Sequence, residues 1–222
     1  MSKLIDLSHT VEDGLVTYKG LPAPIICDYL SREASKSHYE EGTSFQIGKI
    51  EMCSNTGTYI DSPFHRYADG DDLSELSLES VAHLDGVKIT IPENILAIDE
   101  SYFAQLDLTN KAVLIETNWS RHWNTDLYYE NHPYLTEGAA IFLKKSGVSL
   151  VGIDSHNIDD TRGGARPVHS TLLGADILIV EHMCNLQSLP DKGFYFYAVP
   201  VKIKGFGTFP VRAFAQLTEQ KT

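Results

Sequence analysis

The sequence predicts a single α/β domain, residues 1–222, in which a mixed sheet carries a β-rich layer and crossover helices. Three observations predict it. Short runs rich in Val, Ile, Phe and Tyr, most of them ending at Gly, Pro, Asn or Asp, recur along the whole chain. Helical signals separate three of these runs and give the β–α–β–α–β order of a parallel sheet. No repeat, low-complexity tract or Pro/Gly/Ser linker divides the chain, and 222 residues can bury a core without disulfide or metal staples.

Taken in order, strands are expected at residues 3–7, 44–52, 87–91, 113–117, 150–153, 177–181, 194–204 and 210–215. Residues 69–85 are polar, with Leu73, Leu76, Leu78 and Val81 at partial helical spacing, and read as loop plus short helix. Thr136 suits an N-cap ahead of Ala139, Ala140, Leu143 and Lys144, and Gly147 stops that helix. Pro167 can open a second short helix that runs to Leu173 and closes at Gly174.

Thirty acidic against eighteen basic residues give a net charge of −12, which repels phosphate backbones and anionic lipid and speaks against nucleic-acid and membrane-surface partners. No apolar run approaches the ~18 residues of a membrane span, and the first ten residues form no signal peptide. Three cysteines without a CxxC fit a reducing compartment, so the expected location is the cytoplasm. Nine histidines in an acidic chain are the compositional hint of chemistry, because imidazole and carboxylate together bind metal or move protons.

The most informative stretch is residues 53–65. Asn55, Gly57, Tyr59, Asp61, Pro63 and His65 occupy alternate positions, so an extended chain presents all six on one side. Gly57 would allow close backbone approach to a ligand, and Pro63 would end the strand and swing His65 into a cleft. The competing reading is an Asx turn at Asp61 with His65 at the surface. Asp154 and His156 follow a strand end and are candidates to line the same cleft. Tyr18, Trp119 and Trp123 are candidates for an aromatic wall, and residues 159–166 form a polar, Gly-rich loop that reads first as plain surface and second as a flexible cover over the cleft.

This stretch resembles the signature His-x-Gly-Thr-His-x-Asp-x-Pro-x-His of the cyclase family of metal-dependent hydrolases, the family of kynurenine formamidases and isatin hydrolases. Gly57, Thr58, Asp61, Pro63 and His65 match in register, whereas Asn55 and Tyr59 replace two metal-binding histidines. Further landmarks follow in the family's order at residues 5–8, 152–154, 167–169, 173–175, 180–186 and 210–213. The resemblance implies the family's swivelling β/β/α-like fold, a homodimer or homotetramer, and His65 as the catalytic acid/base. It also implies metal ligation by Asp61, His169 and Glu181. Asn and Tyr are poor zinc ligands, so one divalent ion, Zn²⁺ or Mn²⁺, or no ion at all, is expected where the family can hold two. Asn55, Tyr59 and Tyr18 then fall to substrate binding. The implied activity is hydrolysis of an amide, formamide, lactam or related ester in a small molecule, arylformamidase-like. The alternative is a catalytically silent member that binds a small ligand or serves as an oligomeric scaffold.

Overall fold

The computed structural model describes residues 3–218. At its centre lie β7 (Ala112–Glu116), β9 (Leu150–Ile153) and β10 (Leu178–Glu181), mutually parallel and buried at every position. Unbroken apolar strands of this kind need cover on both faces, and alternate residues supply it. Val113, Ile115, Val151, Ile153 and Ile179 pack with the apolar faces of α2 (Glu137–Lys145) and α3 (Pro167–Leu173). Leu114, Leu150, Leu178 and Val180 face the other way into a second core with Ile60, Phe194 and Phe196. Each such side chain contributes on the order of 1.5–3 kcal/mol by leaving water.

The sheet extends from that centre in both directions. On one side stand β5 (Leu84–Thr90), β11 (Lys192–Tyr197), β13 (Phe214–Leu217) and β1 (Leu4–Asp6). On the other side β4 (Tyr59–Asp61) pairs antiparallel with β10, and β12 (Thr208–Pro210) pairs antiparallel with β4. Thus β12 lies at one edge of a nine-stranded order and β13 lies next to the opposite edge. Only residues 211–213 join them, and three residues span roughly 10 Å at most. The sheet must therefore curl until its edges approach, and Ser8, just past β1, closes the seam through a bridge to Met183.

The two crossover helices, α2 and α3, form where their caps direct. The Thr136 hydroxyl accepts the Ala139 N–H, and Pro167 stands in the first turn of α3. The β–α–β–α–β block is present as read. Two strand expectations change. The run at 194–204 stops at Tyr197, ahead of Pro200, and the run at 210–215 divides between β12 and β13 because it crosses the seam. The stretch read as loop plus short helix is loop with a 3-10 turn at Leu78–Ser80 up to residue 83, and Leu84 and Asp85 already belong to β5. The sequence reading missed the single-turn α1 (Arg32–Ser35) and β2 (Ile25–Leu30), which pairs with β3 (Ile47–Glu51) in an outlying ribbon whose residues are almost all exposed. With neither face against the core, β2 carries no alternation to detect. A further parallel pair joins β6 (Ala97–Ile98) and β8 (Tyr134–Leu135). Among the described residues no helix is long and apolar enough to cross a membrane.

Candidate active site

Residues 55–65 do not form one extended face. Only Tyr59–Asp61 is strand, flanked by turns. Gly57 has φ of 68°, and a Cβ there would stand 2.6 Å from Val11 Cγ2, so the glycine serves a tight turn against the N-terminal segment rather than a ligand. Pro63 opens a 3-10 turn, Pro63–His65, that swings His65 out of the sheet as its sequence position suggested. The main chain just ahead of β12 then seals the turn. Ser62 N–H donates to the Gly207 carbonyl at 2.7 Å, and a Cβ on Gly207 would come within 2.2 Å of the His65 nitrogen.

The antiparallel register sets Tyr59 opposite Glu181 and Asp61 opposite Ile179, which brings two carboxylates onto one floor. The first turn of α3 hangs His169 over them. Its Nε2 lies 3.7 Å from Asp61 Oδ2 and 3.8 Å from Glu181 Oε1. Its Nδ1 contacts Asp159 Oδ2 at 2.6 Å, and Asp159 also accepts the Val168 and His169 N–H groups. Asp159 thus caps α3 and orients the imidazole that the helix carries. The Thr208 hydroxyl bridges Asp61 Oδ1 at 2.5 Å and His65 Nδ1 at 2.8 Å. A hydroxyl owns one proton, so one given to the carboxylate leaves Thr208 to accept from His65 Nδ1–H, and His65 Nε2 becomes the basic nitrogen.

Burial alone would lower the His169 pKa, but Glu181, Asp159 and Asp61 outweigh it and hold the imidazole well above its ordinary value. Burial pushes the Glu181 carboxyl up, opposed by His169 and by hydrogen bonds from the Tyr59 hydroxyl and the Ile158 N–H. Tyr59 is buried beside two carboxylates, which keeps its phenol protonated, and it donates to Glu181 Oε2 at 2.6 Å. Its hydroxyl is therefore a prop for Glu181.

These groups open into a cavity of about 250 Å³, room for a substituted ring. Tyr18, Asn55, Tyr59, His65, His169 and Glu181 line it together with Leu21, Arg66, Asn157 and Arg166. Asp61 lies in the floor, fully buried. The seven residues given a role through the family resemblance thus meet at one place. Trp119 and Trp123 are not in the lining; Trp123 stacks on His9 at 3.9 Å. Asp154 and His156 do not line the cavity either. Asp154 accepts the Thr117 and Asn118 N–H groups, and His156 packs behind Tyr18 at 4.8 Å. Thr208, Asn157 and Arg66 were not foreseen as site residues, and Asp159 and Arg166 only as the ends of the 159–166 loop. For Asp159 a signal existed: Arg166, the residue before α3, offers no side-chain cap, so an acid from elsewhere had to satisfy the helix start.

The donor set fits a divalent cation. Donors roughly 2 Å from a shared ion lie about 3–4 Å apart, as the oxygens of Asp61 and Glu181 do around His169 Nε2. Asp61 Oδ2 is buried with no hydrogen-bond partner, an orphan that a cation would satisfy. Asp61, His65 and His169 also offer ligand atoms within 4.8 Å of one another, so His65 stands at the edge of the same cluster.

The family model described as "Putative cyclase" matches residues 5–160. The kynurenine formamidase of Bacillus cereus is 29% identical over 213 residues, covering 96% of each chain, and that of Bacillus cytotoxicus is likewise 29% identical over 213 residues. Isatin hydrolase A from Labrenzia aggregata, solved with benzyl benzoate, superposes with a TM-score of 0.83 at 21% identity over 98% of this chain and 94% of its own. A structure described as a potential metal-dependent hydrolase with cyclase activity gives a TM-score of 0.80 at 23% identity, covering 99% of this chain and 100% of its own.

Proposed function

The chain belongs to the cyclase family, and from that premise we propose that it hydrolyses a carbon–nitrogen bond, an amide or formamide, in a small molecule with the help of one divalent ion. The observation that carries this reading is the convergence of Asp61 Oδ2, His169 Nε2 and Glu181 Oε1 beside His65. Asp61, His169 and Glu181 would hold the ion, Zn²⁺ or Mn²⁺. Bound there, it supplies Lewis acidity at the substrate carbonyl and acidifies water.

The chain's own residues do the rest. Thr208 fixes the His65 tautomer, so Nε2 accepts a proton from attacking water and returns it to the departing nitrogen. Asp159 holds the His169 ring, and the Tyr59 hydroxyl holds Glu181. Asn55 offers an amide to the substrate carbonyl, and Tyr18 with Leu21 gives the cavity an apolar side for a ring. The formamidase relatives make a formylated aromatic amine the first compound to try.

Metal analysis of the purified protein, chelator treatment and reconstitution, with a panel of aryl formamides, lactams and lactones, tests the proposal. Near-stoichiometric Zn²⁺ or Mn²⁺ with chelator-sensitive turnover is expected. A protein that neither binds an ion nor turns over any member of the panel would be a silent family member. In that event Asn55→His with Tyr59→His would ask whether a fuller set of histidines brings activity.

The partner we propose is a second copy of the chain. The β2–β3 ribbon exposes Ile25, Ile26, Tyr29, Ile47 and Ile50, and a lone two-stranded ribbon is marginal in water. Light scattering should report a dimer or tetramer. We place the enzyme in the cytoplasm, where its three free cysteines stay reduced.

A further inference from the structure

We propose that Arg66 and Arg166 form an anion clamp at the cavity and that the substrate is an amide bearing a carboxylate. This deepens the hydrolase reading above and rests on it. Arg121, Arg162 and Arg212 pair with Glu93, Asp160 and Asp6. Arg32, Arg66 and Arg166 pair with no carboxylate among the described residues, although the chain carries a net charge of −12, and of these three only Arg66 and Arg166 stand at the cavity. Both line the cavity that holds His169 and Glu181.

Their placement is built rather than incidental. Arg66 Nε donates to Ser170 Oγ at 3.0 Å, and that hydroxyl donates to the Arg166 carbonyl at 2.9 Å, so one residue ties the two together. Arg166 Nη1 donates to the carbonyls of Asp160, Gly163 and Ala165 at 3.2, 2.8 and 2.7 Å. These bonds engage Arg66 Nε and Arg166 Nη1, Tyr18 also hydrogen-bonds Arg166, and neither guanidinium has an anionic partner among the described residues. A preset fork of donors matches a carboxylate in geometry and charge. Asp61 and Glu181 are not that partner, since neither comes within ion-pair distance of an arginine; they face His169 instead. The cavity thus has an acidic floor for a cation and a basic wall for an anion. About 250 Å³ limits the guest to roughly one ring with its substituents.

The test compares formamidobenzoates, carboxylate at ring position 2, 3 or 4, with their methyl esters, using the metal-loaded protein. The unsubstituted enzyme is expected to favour at least one acid over its ester by tenfold or more in kcat/KM. Arg66→Gln and Arg166→Gln should each cut that acid-to-ester ratio about tenfold, and Arg→Lys at either position should restore part of it. A ratio near one in the native protein, or a ratio unmoved by both substitutions, overturns the clamp. Equal losses on acid and ester would also leave the ratio unmoved and would reveal a structural role. If nothing in the panel is hydrolysed, the hydrolase reading fails, and calorimetric titration with the same acids and esters decides the clamp. Tighter binding of an acid that Arg66→Gln abolishes sustains it, and equal binding of acid and ester overturns it.

Discussion

Two groups of histidines share this molecule and have opposite electrostatic fates. His169 is buried among the carboxylates of Asp159, Asp61 and Glu181, and they favour its charged form. His182 is buried as deeply, but its neighbours are rings: Tyr59 at 5.1 Å, His156 at 5.5 Å, and Trp123 and Tyr128 at 5.6 Å. Burial keeps that second group neutral, lowering His182 well below its usual value, His156 to about 3 and His9 to about 4. Tyr59 is the partition between the two groups, with its hydroxyl on Glu181 and its ring against His182. The difference teaches that a count of histidines says little about chemistry; what each ring faces decides whether it can ligate, carry charge or only pack. A neutral aromatic wall behind the carboxylates also adds no positive charge to compete with a cation.

The sharpest way to break this comparison is to truncate one member of each group. His169→Ala, or Glu181→Gln, is expected to abolish stoichiometric metal binding and lower kcat/KM by about a thousandfold or more. His156→Gln, on the far side of the partition, should lower it by less than about threefold, since His156 does not line the cavity. Equal losses in a steady-state assay with metal analysis would erase the distinction. Next in size are the residues that orient the active pair. Asp159→Asn should weaken metal affinity by about 10- to 100-fold in a competition titration, because it disturbs the ring that Asp159 holds. Thr208→Val should cost about 10- to 100-fold in kcat, with Thr208→Ser close to native, since only the hydroxyl bridges Asp61 and His65.

The smallest effect concerns pH. In the unfolded chain His156 titrates near 6.5, and in the folded protein near 3. Between those values the unfolded state binds the extra proton, so stability is complete above pH 6.5 and falls as the pH drops. At pH 5 the loss amounts to about 2 kcal/mol from this one group. Urea unfolding at pH 7 and pH 5 should show a stability difference that is smaller by about that amount in His156→Gln than in the unsubstituted protein. An identical pH dependence in the two proteins would show that the ring wall does not exclude protons as argued.

Local chemistry was legible in the sequence, and long-range assembly was not. Thr136 and Pro167 mark helix starts because caps act on their own neighbours, and both helices lie where those residues put them. His65, Asp61, His169 and Glu181 were legible through a motif and through their unusual places at a strand, a turn and a helix start. Thr208 was not, because its role depends on β12 reaching residues 143 and 147 positions away. The two arginines escaped notice for a related reason. An exposed arginine in an acidic chain looks like an ion-pair donor until the structure shows that no carboxylate pairs with it.

The contact between Gly207 and the His65 main chain has a consequence for how the protein is made. β4 holds the floor of the site, and β12, which covers it, comes from residues 208–210. A ribosome that has released everything up to β10 has exposed every side chain that lines the cavity, yet Thr208 is absent and the turn bearing His65 has nothing to rest on. Catalytic competence should therefore switch on late in synthesis, over a few residues rather than gradually. Nascent chains arrested before and after residue 210 would differ in activity far more than in helix content.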